Sequence, residues 1–385
     1  MDQVEEEFDV AVVGAGPAGA ATALAVLRVR PHARVALLDR AEHPRDKACG
    51  DGVAPQALDL LAALGAPDVA AGYRPVRALS LGQQEGPSVR REMARAAYVV
   101  PRQVLDARIA AAAVAAGAVP VRHRVRTVER RGGRVVLDGT LAARVVVGAD
   151  GAGSAVRRSL GLPSNPPDGV AVALRGYAPV YPGRTDSQII VLGKGKTPSY
   201  AWSFPIGDGR ANVGYGEVLG AAAAPTRAGM LARLEELLPG AGAGGQAWRG
   251  HHLPLSSHRP RQPDGPVLLV GDALSLVNPL TGEGIHEAVL SGALAGAAAV
   301  QGLAGLDAGA VYRSSLQRVL GRHLRDVRLA ASLARRPPLV AATIRGAAGD
   351  QRVFDALVAM GLERGRLSAG TLLAAGRNLA RPHAV

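Results

Sequence analysis

The chain has 385 residues, 48% of them apolar and 20% charged, which is ordinary for a soluble enzyme and long enough for two closely packed domains. The net charge of +13 does not mark a nucleic-acid binder: only three of the 45 basic residues are lysines, and the arginines are scattered, so a solvated surface is expected, with attraction to an anionic substrate or lipid surface as the alternative. Cys49 is the only cysteine, which excludes an internal disulfide and fits a reducing, cytoplasmic setting, and the acidic start, residues 1–8, is no signal peptide.

In chain order, residues 8–13 read as a buried strand, followed by the turn Gly14-Ala15-Gly16-Pro17-Ala18-Gly19, a helix over about 20–30, and a second strand over 34–38 that ends in Asp39. This βαβ unit is a dinucleotide-binding pattern. The first glycine makes the tight turn, the second lets the backbone approach a pyrophosphate, and the third lets helix pack on strand. Asp39 stands where a carboxylate can bond a ribose hydroxyl. A basic, Gly-rich loop, Arg45 to Gly52, carries Cys49 and Gly50. Strand-like runs over 74–100 precede a helix over 101–116, with Arg102 near its start. A strand over 144–148 runs into Ala149-Asp150-Gly151, and another over 267–270 runs into Gly271-Asp272.

Between these two strands, residues 170–258 carry short strand-like runs punctuated by Gly and Pro, as in a mostly antiparallel sheet. Within them, strand alternation places Tyr200, Trp202 and Phe204 on one face. Such a cluster, in a chain with few aromatics, is either a sheet core or an apolar wall over a ligand. His251, His252 and His258 lack partner cysteines and helical spacing, so they read as a surface loop and no metal site is expected. Residues 278–285 (Asn-Pro-Leu-Thr-Gly-Glu-Gly-Ile) lead into an Ala- and Gly-rich run over 288–304, a poor membrane span and a good buried helix. The chain beyond 309 is expected to be helical. The resulting division has residues 1–73, 98–165 and 262–308 as a discontinuous nucleotide-binding domain, 74–97 and 166–261 as a β-rich substrate domain, and 309–385 as a C-terminal helical region.

Three separated motifs in this order (the loop at Gly14, the run 148–157 and the run 270–285) resemble the flavin-dependent aromatic hydroxylase superfamily, and specifically its geranylgeranyl reductase branch, over roughly residues 8–300. The resemblance implies an α/β fold with a Rossmann-like, glutathione-reductase-type FAD-binding domain and an inserted, mostly antiparallel sheet. It implies that Gly14, Gly16, Pro17, Ala18 and Gly19 hold the FAD pyrophosphate, and Asp39 with Arg40 the adenosine ribose. Arg102 would contact the phosphates or ribityl region, and Asp150 with Gly151 would serve FAD or a pyridine nucleotide indirectly. Gly271 and Asp272 would bond the ribityl chain. Backbone N–H groups around Gly282, Gly284 and Ile285 would face the flavin pyrimidine edge and stabilise its reduced anion. Helix capping is the competing reading for Asp150 and Asp272.

Two features match the reductase branch in particular, the Cys49-Gly50 loop near the flavin ring and the Tyr-x-Trp-x-Phe-Pro signature at 200–205. Cys49 would donate a proton or position substrate and flavin. Tyr200, Trp202 and Phe204 would wall the pocket of an isoprenoid-like chain. The implied activity is reduction of C=C bonds in an isoprenoid or prenylated substrate by hydride from flavin N5. The alternatives are a flavin monooxygenase acting on an apolar natural product and a non-catalytic flavin-binding partner. The only other Gly-x-Gly-x-x-Gly string, residues 240–245, does not lie between a strand and a helix, so NAD(P)H or another external donor would bind transiently. The chain is short at its C-terminal end beside larger family members. Residues 310–385 are left to pack on the domain, touch a lipid surface or mediate self-association.

Overall fold

The computed structural model describes residues 6–195, 197–220 and 224–367. Residues 1–5 of the expected nucleotide-binding domain and 368–385 of the expected helical region lie outside the described residues. Strand β1 (Glu6–Val13) is buried from Val10 onward, as a central parallel strand must be. Helix α1 (Pro17–Val29) follows, with Gly16 at its N-cap and Pro17 at its first position; proline's fixed φ starts the helix ahead of the expected residue 20. Then come β2 (Val35–Asp39), β3 (Gly52–Val53), α2 (Pro55–Ala63), β4 (Val76–Gln83), β5 (Ser88–Val99), α3 (Arg102–Ala115), β6 (Val119–Arg122), β7 (Val128–Arg131), β8 (Arg134–Leu137), β9 (Leu141–Gly148) and α4 (Ala155–Ser159). The later part of the chain forms β10 (Val170–Pro179), β11 (Ser187–Leu192), β12 (Ser199–Pro205), β13 (Arg210–Val218), α5 (Arg227–Leu237), β14 (Gln246–Pro254), β15 (Val267–Leu269), α6 (Ile285–Leu303), α7 (Ala308–Leu333), α8 (Pro337–Gly349) and α9 (Gln351–Leu362).

Two sheets carry the fold. The first has the order β6-β2-β1-β9-β8-β7, with β15 also on β9. Its centre is parallel, Val10 lying opposite Val35 on one side and Val145 on the other. Helices α1 and α6 stack at its face. They approach closely because α6 presents glycine there: a Cβ on Gly292 would lie 2.2 Å from the Ala18 carbonyl oxygen, and one on Gly296 2.6 Å from the Ala25 Cβ. The second sheet has the order β14-β10-β13-β12-β11-β4-β5-β3 and is antiparallel except where β11 meets β4. Gly52–Val53, from the Cys49 loop, therefore closes the edge of this second sheet by pairing with β5.

The alternation of the second sheet divides its apolar residues between two faces. Leu174, Ala201 and Tyr215 pack with Met230 and Leu234 of α5 on one face. Leu79, Leu81, Ile190 and Leu192 turn to the other, where Ile344 of α8 and Phe354 of α9 lie against them. Of the fates left open for residues 310–385, the described part packs on the domain.

Candidate active site

The phosphate loop is fixed by its glycines. Gly14 has a φ of +106°, and a Cβ there would lie 2.3 Å from the Ala149 carbonyl oxygen; a Cβ on Gly19 would lie 1.8 Å from the Gly14 oxygen. Gly16, by contrast, faces side chains: the nearest atom to its Cβ position is an Arg45 guanidinium nitrogen, at 3.5 Å. This cradle suits a pyrophosphate, with open backbone ringed by Arg45 and Arg102. Asp39 accepts from the Ala15 and Ala41 backbone N–H groups at 3.0 Å each and from Arg45 at 3.3 Å. Arg102 is buried and forks onto Asp106 at 2.6 and 2.8 Å.

Asp150 and Asp272 differ. The Asp150 carboxylate accepts from Ser154 Oγ at 2.5 Å and from the Ala155 N–H at 2.6 Å, so it caps α4 while lining the cavity. Asp272 instead meets Lys47 Nζ at 3.0 Å and His251 Nε2 at 3.8 Å. Burial opposes its charge, but Lys47 and His251 outweigh burial and hold the carboxyl well below the usual range. The expectation that the histidines form a surface loop is corrected for His251 and His252. Both stand on β14, because the residues around them pair in register with β10, and His251 turns into the cavity.

Behind the Cys49-Gly50 turn lies a polar clamp that was not singled out in the sequence. Asp51 is fully buried with a left-handed φ of +59°. Its carboxylate accepts from Tyr177 Oη at 2.6 Å and Asn212 Nδ2 at 2.7 Å. Asn212 also donates to the Cys49 carbonyl at 2.8 Å and accepts from Trp202 Nε1 at 2.8 Å. Burial pushes Asp51 up to about 6 against these hydrogen bonds. A charged residue between Gly50 and Gly52 was the one sequence signal for this clamp. On the cavity side, a Cβ at Gly50 would lie 3.4 Å from the Phe204 ring and 3.6 Å from Trp202 Nε1. Burial pushes the Cys49 thiol up.

The turn before α6 completes the site. Gly282 has a φ of +75°, and a Cβ there would lie 2.5 Å from Tyr200 Oη. Of the N–H groups expected to face a ligand, that of Ile285 is already engaged: Glu283 Oε1 accepts from it at 2.8 Å and from His286 N–H at 3.1 Å. Two bonds tie this turn to the end of α9, Asn278 Nδ2 to the Met360 carbonyl and Thr281 Oγ1 to the Gly361 carbonyl, both 2.9 Å.

One cavity of about 1540 Å³ joins these parts. Gly14, Gly16, Pro17, Ala18, Asp39, Arg40, Arg102, Asp150 and Gly151 line it together with Cys49, Gly50, Tyr200, Trp202, Phe204, Asp272, Gly282, Gly284 and Ile285. Gly19 and Gly271 are packed behind it, Gly271 against Ala18 and Ala288. Beyond the aromatic strand the cavity continues as an apolar arm between the second sheet and α8–α9, lined by Leu79, Leu81, Ile190, Leu192, Ile344 and Leu357. Pockets for one small ligand measure about 300–1,000 Å³, so this cavity has room for a dinucleotide and a second, apolar ligand. Among the described residues no group of His, Cys, Asp and Glu could hold a metal ion.

Comparison with known proteins agrees with this geometry. Residues 7–178 match the FAD binding domain model. The chain is 34% identical over 319 residues to a menaquinone reductase of Mycolicibacterium smegmatis, covering 74% of this chain and 75% of that protein. It is 34% identical over 346 residues to digeranylgeranylglycerophospholipid reductase 1 of Methanopyrus kandleri, covering 83% and 88%. A geranylgeranyl bacteriochlorophyll reductase-like protein from Thermoplasma acidophilum shares the fold with a TM-score of 0.74 at 24% identity, over 96% of each chain.

Proposed function

The chain belongs to the geranylgeranyl reductase family of FAD-dependent oxidoreductases, and from that premise we propose that it saturates carbon–carbon double bonds in the isoprenoid chain of a quinone-like or lipid substrate. The observation that carries this reading is the apolar arm, which opens from the same cavity as the phosphate cradle. FAD supplies hydride chemistry when bound. Gly14, Gly16 and the start of α1 would hold its pyrophosphate, Asp39 and Arg40 its adenosine end, and Asp272, now paired with Lys47, its ribityl chain. Tyr200, Trp202 and Phe204 then form a wall that excludes water and aligns the chain. Cys49, steadied from behind by Asn212 and Asp51, positions substrate against that wall.

NAD(P)H or another external donor would supply the electrons, binding transiently. A lipid surface is the proposed source of substrate: Arg328 and Arg335 line the cavity at the α7–α8 corner, and Leu329 beside them is 51% exposed. Among the described residues, no helix is long and apolar enough to cross a membrane.

The test is anaerobic reduction of the FAD-loaded protein followed by a geranylgeranylated compound. Cofactor reoxidation with a product heavier by two hydrogens per turnover is expected. Turnover that requires oxygen and adds an oxygen atom would establish the monooxygenase instead.

A further inference from the structure

Alkene saturation needs one proton for every hydride, and the groups lining the cavity differ in whether they hold a usable one. Asp272 is kept ionised by Lys47 and His251. The Cys49 thiol and the Tyr200 phenol are both pushed up by burial, which makes them weaker acids than usual. A general acid works best with a pKa near the working pH. The turn before α6, which lies against Tyr200, carries a further carboxyl, Glu283.

We propose that Glu283 is the acid that protonates the substrate, a role that rests on the alkene-reductase reading above. Glu283 lines the cavity on the turn whose Gly282 abuts Tyr200 Oη, and its charge is felt by both Tyr200 and Cys49. Its Oε1 is pinned by the Ile285 and His286 N–H groups, so the carboxyl is held in one orientation.

One helical turn on lies a second carboxyl, Glu287, 1% exposed. Glu287 has two imidazoles close to its carboxyl, His286 Nδ1 at 3.8 Å and His323 Nε2 at 3.7 Å. Although burial opposes it, these histidines hold Glu287 below its ordinary value, while His323 is raised despite its own burial. Glu287 thus keeps the negative charge and Glu283 keeps the proton. Burial first, and Glu287 second, push Glu283 up to about 7. Two neighbouring carboxyls driven apart in this way are the usual means of setting an acid beside an anion. In the step itself the π bond breaks and two C–H bonds form, one with the hydride from the reduced cofactor and one with the Glu283 proton. Glu283 is left as carboxylate and recovers its proton from solvent.

The test compares the FAD-loaded wild type with Glu283→Gln, whose amide oxygen still accepts the two N–H bonds. Infrared titration of the wild type should show a protonated carboxyl band that disappears near pH 7 and is absent from the variant. Single-turnover rates with a geranylgeranylated substrate should fall about tenfold per pH unit above about 7 in the wild type. In Glu283→Gln they should be roughly 10²–10⁴-fold lower and lack that limb. If the variant does not load FAD, Glu287→Gln serves instead: removing the neighbouring charge should move the band and the limb to lower pH. A Glu283→Gln protein that keeps the limb and a near-normal rate, or a limb that Glu287→Gln does not move, overturns the role of Glu283. A wild type that reduces no prenylated compound overturns the alkene-reductase reading and not the carboxyl assignment, which the infrared band reports independently.

Discussion

At the scale of single residues, the chemistry of the site depends on groups whose environment sets their charge. Asp51, which does not itself line the cavity, is one such case. Its pKa is about 6 in the folded protein against an ordinary value of 3.8. The folded state therefore binds the proton more tightly, and the associated stabilisation is full below pH 3.8 and lost as pH rises through about 6. Asp51→Asn removes this linkage. The stability of the wild type relative to the variant should decline by roughly 2–3 kcal/mol between pH 4 and pH 7, read from urea denaturation at each pH. A difference independent of pH would mean that Asp51 is not shifted. The glycine loop at Gly14 and the acid at Asp39 were legible in the sequence because their spacing is local: one strand, one turn and one helix fix both. Asp51, Tyr177 and Asn212 were not, because three separate elements bring them together and no local spacing records that meeting.

At the scale of elements, the alternation in β12 was enough to put Tyr200, Trp202 and Phe204 on one face, and the cavity lies on that face. The helices α8 and α9 were legible only as helical, apolar and basic. An amphipathic pattern says that a face is buried and not what buries it. The structure supplies the partner, the side of the second sheet that carries Ile190 and Leu192. These helices roof the apolar arm, so bulk added there should act on the substrate and spare the cofactor. Leu357→Trp is expected to retain its FAD but raise KM for a geranylgeranylated substrate tenfold or more, with a shorter prenyl substrate less affected. Equal loss for both lengths would place the chain elsewhere. The histidines of β14 are a case where reading residue types alone misled: His251 belongs to a strand that delivers it to Asp272.

At the scale of the whole molecule, the net charge of +13 was assigned to a solvated surface, and the exposed ion pairs agree in kind, with Arg95 on Asp59 and Arg122 on Glu42. What remains uncompensated should still favour an anionic lipid surface near the α7–α8 corner. Co-sedimentation with vesicles rich in anionic lipid is expected at low ionic strength and should weaken severalfold by 0.5 M salt, with neutral vesicles left in the supernatant. Equal binding to both would point to the apolar corner alone. The bonds from Asn278 and Thr281 to the carbonyls of Met360 and Gly361 have a consequence for biosynthesis. The turn at Asn278 and Thr281 is tied down by residues that are synthesised well after it and after the loop at Gly14. A chain halted before α9 would therefore lack both of the bonds that hold this turn.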